Sequence, residues 1–239
     1  MKQKYDFKAG AILLVNKPKT WTSFDVVNKI RYKLKHVLGV KKIKVGHSGT
    51  LDPMATGLLI ICTGKFTKKL NELQGLSKSY SGTIKLGATT ASYDAEEKED
   101  NTYPVSHITP ELIERTRLQF IGKIEQIPPM FSAIKVDGQP LYKKARKGEM
   151  IEVQPRTVEV FDFRITKIEM PFVDFDISCS KGTYIRSLAF DFGKALNSGG
   201  YLTGLKRTKV GDYHLEDAWN LDELITHIEE GYTKVEVNS

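Results

Sequence analysis

Residues 46–57 read Gly46-His47-Ser48-Gly49-Thr50-Leu51-Asp52-Pro53-Met54-Ala55-Thr56-Gly57, and the apolar run 58–62 follows at once. Glycine permits tight backbone paths, while proline fixes φ and removes a hydrogen-bond donor. A polar loop this constrained, anchored to a buried strand or helix, can hold one side chain rigidly in a cleft. The candidate side chain is Asp52. The alternative is an ordinary Asp-Pro turn, in which the carboxylate caps the backbone.

Strand and helix patterns alternate on both sides of this loop. Residues 11–15 form a short apolar strand, and Thr22-Ser23 is a helix cap that precedes the apolar stripe Phe24, Val27, Ile30 and Leu34. The alternation of apolar and polar residues over 173–180 predicts a half-buried strand, which is typical of antiparallel sheets. The interspersed elements therefore predict an α/β or α+β domain with a mixed, largely antiparallel central sheet flanked by helices and loops.

The other periodic segments predict further elements. These are a basic helix from residue 63, a strand over 80–86, a flexible polar loop over 92–106, a helix that begins at Thr109-Pro110 and stops by Gly122, a helix over 185–196, a strand over 201–210 and a short last helix after Asn220. Residues 128–150 have no regular period and are rich in Lys, Pro and Gly. We expect this segment to leave the core as an excursion.

The composition is that of a globular protein with a basic excess. The chain has 239 residues, of which 40% are hydrophobic and 27% charged, and its formal net charge is +7. This charge favours a polyanionic partner such as nucleic acid. Two cysteines without a Cys-x-x-Cys or a paired histidine exclude the common zinc patterns and a disulfide framework, so we expect no metal. No apolar run approaches the roughly 20 residues of a membrane span, and residues 1–6 lack the apolar core of a signal peptide. We therefore expect a cytoplasmic protein.

Motifs in five other places accompany the Asp52 loop. They are Lys17-Pro18 with Thr22-Ser23, Lys78-Ser79-Tyr80, Pro128-Pro129 through Ser132-Ala133-Ile134-Lys135 with Gly138 and Tyr142, Gly182-Thr183-Tyr184-Ile185-Arg186, and Leu205-Lys206-Arg207-Thr208. Together with the loop, and in this order, they resemble the TruB family of tRNA pseudouridine synthases. One position departs from the family pattern, because Thr20 stands where the family usually has glycine. This difference concerns the local turn and not the chemistry.

The resemblance implies the pseudouridine-synthase fold and an enzyme that isomerises a uridine in the T loop of tRNA, at tRNA position 55, to pseudouridine. The reaction gains and loses no atom, so no cofactor is expected. The implied partner is the T arm of tRNA, and we expect a monomer without membrane attachment. We expect one catalytic domain over residues 1–239, in which 128–150 is the family's thumb-like segment that contacts RNA. A C-terminal PUA domain is not expected, because only about thirty residues follow Val210.

Three residues are the expected catalytic group. In the family the aspartate of the loop, here Asp52, is the catalytic residue, and the sequence leaves open whether it acts as nucleophile or base. A carboxylate in a dry pocket becomes protonated, and the resemblance pairs it with Arg186, whose bidentate contact would keep it ionised. Tyr80 resembles the active-site tyrosine, and its ring could stack on the flipped uracil. As isolated residues, Arg186 would be a surface arginine and Tyr80 a core tyrosine.

A second group of residues is expected to bind the substrate or the rest of the RNA. Lysine and arginine attract phosphates, a neutral histidine can bind a phosphate or a base, and a leucine can wall a pocket. The expected residues are His47, Leu205, Lys17, Asp94, Lys135, Arg146, Tyr184 and Arg207. Further phosphate candidates are Lys65, Lys68, Lys69 and the lysines of 143–147.

Two other functions are compatible with parts of the sequence. An RNA-binding protein without catalysis would keep the basic residues but could lose Asp52 or Arg186, and both are present. A glycoside hydrolase that uses Asp52 would need a second acidic group beside the scissile bond. No second carboxylate stands in the loop, although one could come from elsewhere in the fold.

Overall fold

The computed structural model describes residues 5–132, 134–136, 138–141, 144, 151 and 153–236. The chain divides into two units. Unit 1 comprises Met1–Lys78 and Lys206–Ser239, and unit 2 comprises Ser79–Leu205. The strand Gly200–Val210 begins in unit 2 and ends in unit 1.

Unit 1 contains, within its described residues, three helices and a small mixed sheet. Its elements are β1 (Ile12–Lys17), α1 (Ser23–Val37), β2 (Val45–His47), β3 (Thr56–Thr63), α2 (Leu70–Gly75), the end of β12 (Gly200–Val210), β13 (Tyr213–His214), β14 (Trp219–Asn220) and α5 (Leu221–Glu236), with 3-10 turns at Gly64–Lys69 and Leu215–Asp217. Strand β3 pairs antiparallel with β1 and β2 and parallel with the end of β12. Strand β1 also pairs parallel with β14.

Strand β3 is the centre of unit 1 because both of its faces are buried. Leu59 and Ile61 pack into an apolar cluster with residues of β1, α1 and α5, and Leu58, Ile60 and Cys62 pack into a second cluster. All five side chains are inaccessible to solvent. A strand that is covered on both faces needs apolar side chains at every position, which explains the uniform apolar run 58–62. Burial raises the pKa of the Cys62 thiol to about 11.

The first helix begins with the cap that the sequence predicts. The Thr22 hydroxyl accepts from the Asp25 N–H, and the Asp25 carboxylate accepts from the Thr22 N–H. These bonds form a capping box. Val27 and Ile30 lie on the buried face, but Phe24 is 60% exposed, so its place in the predicted stripe is wrong. A helical side chain points back toward the N-terminus, so Phe24 in the first turn projects beyond the packed face.

Unit 2 contains helices and a set of antiparallel strands. Its elements are β4 (Lys78–Leu86), β5 (Ala88–Thr90), β6 (Glu99–Thr102), α3 (Pro110–Arg117), β7 (Gly122–Gln126), β8 (Lys135–Val136), β9 (Gln139–Pro140), β10 (Arg156–Glu169), β11 (Phe172–Cys179), α4 (Ile185–Ala195) and the start of β12, with a 3-10 turn at Leu118–Phe120. The strand order is β12, β4, β11, β10 and β7, and β10 pairs antiparallel with both of its neighbours. Two small hairpins pair β5 with β6 and β8 with β9.

Aromatic rings fill the core of unit 2. The Phe163 ring packs edge-on against Phe175 and Phe192, with centroid separations of 5.8 Å and 5.6 Å. These rings come from β10, β11 and α4, so they join the helix to the sheet. Strand β11 alternates buried and half-buried residues, as its sequence pattern predicts. The predicted class, a mixed and largely antiparallel sheet with flanking helices, is confirmed.

The prediction of a flexible polar loop over 92–106 is wrong. Strand β6 lies within this segment, and Ser92 and Asp94 at its start are buried. The polar composition was misleading because these side chains satisfy each other's hydrogen bonds inside the protein.

The last helix is also longer than the sequence predicts. Helix α5 extends over 16 residues, and Leu221, Leu224 and Ile228 pack into the core of unit 1. Packing of this apolar stripe stabilises the helix for several turns after its first residues. None of the helices in the described part of the chain is long and apolar enough to cross a membrane.

Gly57 lies where the backbones of β3 and β12 come very close. The parallel register places it beside Arg207. Its φ is +104°, and a Cβ at this position would lie 2.3 Å from the carbonyl oxygen of Arg207 and 2.7 Å from its nitrogen. Both the dihedral angle and the space therefore require glycine.

We expect Gly57→Ala to lower the free energy of unfolding by about 3 kcal/mol. The alanine would have to keep a strained positive φ, and the Arg207 backbone would have to move away from its Cβ. Gly39→Ala is the matched control, since Gly39 also has a positive φ (+58°) but has no atom within 4 Å of the added methyl group. This control should lose only about 1 kcal/mol. Urea denaturation measures both losses, and equal values would contradict the close contact at Gly57.

Candidate catalytic site

The loop between β2 and β3, residues 48–55, holds Asp52 in a closed turn. The Ala55 N–H donates to the Asp52 carbonyl oxygen at 3.0 Å, and the Ser48 N–H donates to the Ile60 carbonyl oxygen at 3.0 Å. Asp52 is half-buried, and Leu51 beside it is buried. The loop is therefore a folded element that is fixed to β3.

Ser23, the first residue of α1, fixes the residue before Asp52. Its hydroxyl accepts from the Leu51 N–H at 2.8 Å and is 3.2 Å from the Leu51 carbonyl oxygen, to which it donates. Ser23 is buried. One side chain therefore satisfies both main-chain polar groups of Leu51, which would otherwise be costly to bury.

Lys17 fixes the residue after Asp52. Its Nζ donates to the carbonyl oxygens of Pro18 at 2.9 Å, Trp21 at 2.6 Å and Pro53 at 3.4 Å. The residue is 0% exposed. An ammonium group has three N–H donors, so the three carbonyls match it. The predicted phosphate contact of Lys17 is not supported, because its ammonium lies inside unit 1 and faces the main chain.

Thr20 also binds Pro53. Its N–H donates to the Pro53 carbonyl oxygen at 2.8 Å. The φ of Thr20 is 73°, in the left-handed region that a β-branched residue rarely adopts. A glycine, which the family resemblance leads us to expect at this position, would adopt this φ without strain. The strain, of order 1–2 kcal/mol, is balanced by the surrounding contacts.

Arg207 supports the loop from β12. The residue is 2% exposed, and its guanidinium donates to main-chain carbonyls of Gly49, Thr50 and Leu58. Its predicted contact with RNA is not supported by this placement, because the guanidinium faces the protein backbone. The neighbouring Lys206 is exposed.

His47, at the end of β2, is half-buried beside the loop. Its Nδ1 accepts from the Gly49 N–H at 3.3 Å. Burial lowers the pKa of His47, and the Arg207 charge acts in the same direction. The ring is therefore neutral at pH 7, with its hydrogen on Nε2, which is a donor for a phosphate or a base. Its contact with RNA stays a prediction.

Arg186, the second residue of α4, joins three segments of unit 2. Its Nη1 donates to the Ser92 carbonyl oxygen at 3.1 Å and lies 3.4 Å from Oδ2 of Asp94. Its Nη2 donates to the Phe131 carbonyl oxygen at 2.8 Å. The guanidinium is therefore held in one orientation by a buried carboxylate and two carbonyls. The pairing of Arg186 with Asp52 stays a prediction.

Asp94 is fully buried, and one of its carboxylate oxygens accepts two hydrogen bonds. Its Oδ1 accepts from the Ser92 hydroxyl at 2.5 Å and from the Glu96 N–H at 3.0 Å. The predicted contact of Asp94 with RNA is not supported, because the carboxylate faces donors of the protein. Tyr93 beside it has a φ of 64°, and its ring stacks on Phe190 of α4 at 4.1 Å. This stack holds the segment against the helix that carries the guanidinium.

The start of α4 is anchored to the end of β7. The Tyr184 N–H donates to Oε1 of Gln126 at 2.7 Å, and Nε2 of Gln126 donates back to the Tyr184 carbonyl oxygen at 3.0 Å. Gln126 is fully buried. Arg186 therefore projects from a rigid helix start, which agrees with its predicted position between a strand and a helix. The contact of Tyr184 with substrate stays a prediction.

The other predicted residues belong to unit 2. Tyr80 is buried in β4, and Leu205 is half-buried in β12. Lys135 is the first residue of β8, and Arg146 lies outside the described residues. The structure thus brings together four predicted residues in unit 1, which are Lys17, His47, Asp52 and Arg207, and it places Asp94 beside Arg186 in unit 2.

A basic cleft of about 350 Å³ lies on unit 1. Five exposed lysines line it, and no acidic residue does. They are Lys8, Lys42, Lys44, Lys65 and Lys68. Lys65 and Lys68 are among the predicted phosphate contacts, whereas the other three come from two further segments that the sequence did not connect. We call this surface the lysine cleft. Within the residues that the structure describes, no three His, Cys, Asp or Glu side chains are grouped closely enough to hold a metal ion.

Sequence reasoning missed two anchoring residues, Ser23 and Gln126. Thr22 and Asp25 form the capping box without Ser23. The Ser23 hydroxyl is therefore left for another partner, which the sequence could have indicated. Gln126 is separated from Tyr184 by 58 residues, and no local pattern indicates such a contact.

We expect Lys17→Met to lower the free energy of unfolding by about 3 kcal/mol, because buried carbonyl oxygens lose their donor. Lys19→Met is the control, since Lys19 is exposed. Urea denaturation measures stability, and tRNA binding by the folded protein across a salt series tests for a phosphate contact. Normal stability with a salt slope shallower by about 1 would show instead that Lys17 binds RNA.

The chain is similar in sequence to known proteins over most of its length. The TruB family pseudouridylate synthase (N terminal domain) matches residues 35–185. The tRNA pseudouridine synthase B of Flavobacterium johnsoniae is 56% identical over 214 residues, which cover 89% of this chain and 93% of that protein. The tRNA pseudouridine synthase B of Phocaeicola vulgatus is 55% identical over 217 residues, which cover 91% of this chain and 92% of that protein.

A solved structure shows the same fold. It is a chain in the crystal structure of a Cbf5-Nop10-Gar1 complex, with a TM-score of 0.68 and 27% sequence identity over 92% of this chain. The matched part is 54% of that solved chain, so this protein spans about half of its length. The family match covers more than half of the present sequence, and the relatives cover most of it. The chain therefore belongs to the TruB family of pseudouridylate synthases.

Proposed function

We propose that this protein isomerises the uridine at position 55 in the T loop of tRNA to pseudouridine, and that Asp52 supplies the catalytic carboxylate. The observation that carries the proposal is the anchoring of the main chain on both sides of Asp52. Ser23 binds Leu51, and Lys17 and Thr20 bind Pro53. A side chain held in this way is positioned before the substrate arrives, which lowers the entropic cost of the reaction.

The reaction breaks the N1–C1′ glycosidic bond of uridine, turns the base and joins C5 to C1′. A proton leaves C5 and a proton is taken up at N1, so the product is an isomer of the substrate. No electron or group enters from a cofactor. An ionised carboxylate at the junction of sugar and base serves this chemistry, either as nucleophile or as base.

Unit 2 supplies the other proposed catalytic residues. Arg186 is proposed to keep Asp52 ionised, and its guanidinium is already oriented by Asp94 and by the Ser92 and Phe131 carbonyls. Tyr80 is proposed to stack on the uracil after the base leaves the RNA stack. A pre-oriented arginine favours this role because no reorganisation is needed when the substrate binds.

The lysine cleft is proposed to bind tRNA phosphates away from the reacting nucleotide. Its five lysines and the lack of acidic lining residues make it strongly positive. Phosphate contacts position an RNA without carrying sequence information, so the lysine cleft would add affinity and not specificity. His47 is proposed to bind a phosphate or a base near Asp52.

The remaining features of the proposal concern organisation. We propose that residues 1–239 act as one catalytic domain, that 128–150 is a segment that contacts the T arm, and that the enzyme works as a cytoplasmic monomer without a cofactor. The basic residues of 135–147 favour the RNA contact, since lysine and arginine bind phosphates.

We expect Asp52→Asn to reduce the single-turnover rate by more than about 10⁴-fold, because the amide cannot act as nucleophile or base at neutral pH. Folding and tRNA affinity should change little, since the amide has nearly the same shape. Detection of pseudouridine in a tRNA transcript measures the rate.

Asp212→Asn is the control for this substitution, because it makes the same chemical change at an exposed position of unit 1. It should keep the wild-type rate. A clean Asp52→Asn preparation that forms pseudouridine at a measurable single-turnover rate would show that another residue supplies the chemistry.

The lysine cleft is tested by changing Lys42, Lys44 and Lys65 to glutamine together. We expect the slope of log affinity against log salt concentration to become less steep by about 2 to 3. Each lost phosphate contact contributes about 0.7 to 0.9 to that slope. The single-turnover rate at saturating tRNA should stay within about twofold of wild type, since these residues position RNA and do no chemistry. Filter binding across a salt series gives the slope.

The matched control changes Lys35, Lys98 and Lys123 to glutamine, which removes the same charge from exposed positions outside the lysine cleft. Its slope should change much less. Equal slopes for the two triple variants would show that net charge, and not the lysine cleft, determines affinity.

A further inference from the structure

Arg207 is oriented inward by the strand that carries it. Strand β12 runs parallel to β3 here, with Lys206 paired to Thr56 and Arg207 paired to Gly57. Successive side chains of a strand point to opposite faces. Lys206 is exposed, while Arg207 is buried. The absence of a side chain at Gly57 lets the two backbones lie close together at this point.

The guanidinium of Arg207 connects the two ends of the Asp52 loop. Its Nε donates to the Leu58 carbonyl oxygen at 2.8 Å, on the β3 side. Its Nη2 donates to the Gly49 carbonyl oxygen at 3.1 Å, and its Nη1 is 3.5 Å from the Thr50 carbonyl oxygen. One planar group therefore determines how the start of the loop lies relative to β3.

We infer that Arg207 is a positioning residue for Asp52, acting on the chemical step through the loop and not through tRNA. The inference rests on the proposed function, because it takes Asp52 as the catalytic residue. Lys17, Thr20 and Ser23 fix the residues next to Asp52, whereas Arg207 fixes the chain two to three residues before it. Without the guanidinium, that part of the loop loses its tie to β3.

The planar fork is needed for this role. Arginine presents several N–H donors in a fixed geometry, whereas lysine presents a point charge on a flexible stem. A lysine at this position keeps the charge but cannot bind carbonyls on both sides of the loop at once. The nearby His47 also responds to the guanidinium, since its pKa is lowered by burial and further by the Arg207 charge.

The test measures Arg207→Lys and the control Lys206→Gln well below their melting temperatures, where both are fully folded. We expect Arg207→Lys to reduce the single-turnover rate at saturating tRNA by about 10²-fold, because displacements of about 1 Å cost that much. Its dissociation constant for tRNA and its salt slope should equal those of wild type. The control should be normal in all three measurements.

A residue that bound phosphate would give the opposite result. The affinity of Arg207→Lys would then fall while its rate at saturating tRNA stayed normal, and this outcome would overturn the inference. A normal rate together with normal affinity would overturn it as well. A role in stability alone would lower the melting temperature and leave the rate of the folded enzyme unchanged.

A second variant strains the loop at the residue whose carbonyl oxygen Arg207 binds. The φ of Gly49 is +149°, which a residue with a Cβ rarely adopts, whereas the added Cβ itself would make only an ordinary contact of 3.6 Å with Nη1 of Arg207. We expect Gly49→Ala to lower the single-turnover rate without changing the affinity for tRNA, and this variant tests the inference if Arg207→Lys does not fold.

Asp52→Asn is measured in parallel. An active Asp52→Asn would refute the proposed function, whereas an inactive Asp52→Asn beside a normal Arg207→Lys and a normal Gly49→Ala would refute only the role of Arg207.

Discussion

The buried Lys17 ammonium ties the loop that carries Asp52 to the start of unit 1. Its bonds to three carbonyl oxygens require β1, the turn at Thr20 and the loop to be in place together. Ser23 adds a bond in each direction to Leu51. Because burying an ammonium or a carbonyl without a partner is costly, these groups can leave water only when the whole arrangement forms. The geometry of the proposed site is therefore a consequence of how unit 1 packs.

The basic residues of this chain serve two different physical purposes. Lys17, Arg186 and Arg207 are buried and bind carbonyl oxygens, and Arg186 also binds a carboxylate, so each holds segments of its own unit in place. The lysines of the lysine cleft are exposed and surround a space without acidic groups, so they create a positive surface. The net charge of the sequence predicts only the positive surface. It does not reveal the buried cations, because a buried and an exposed cation contribute equally to the net charge.

Features with a local cause could be predicted from the sequence. The apolar run of β3, the alternation of β11 and the cap at Thr22 each follow from neighbouring residues, and the order of motifs indicated the family. The burial of Arg207 could not be predicted, because its partner Gly49 is 158 residues away and is a main-chain carbonyl that every residue type carries. Asp94 was assigned to a flexible loop because polar residues that satisfy each other look the same in sequence as polar residues in water.

Strand β3, covered on both faces, has a consequence for how the enzyme loses activity. Its amide protons exchange with solvent only when the core of unit 1 opens. That opening also releases the loop, because the Ser48 N–H binds the Ile60 carbonyl oxygen and Arg207 connects the loop to Leu58. The loop and the core therefore belong to one cooperative unit. Proteins of ordinary stability keep an unfolded fraction of about 10⁻³ to 10⁻⁶. A core substitution in unit 1 raises that fraction, so it reduces the number of active molecules while each folded molecule keeps its full turnover.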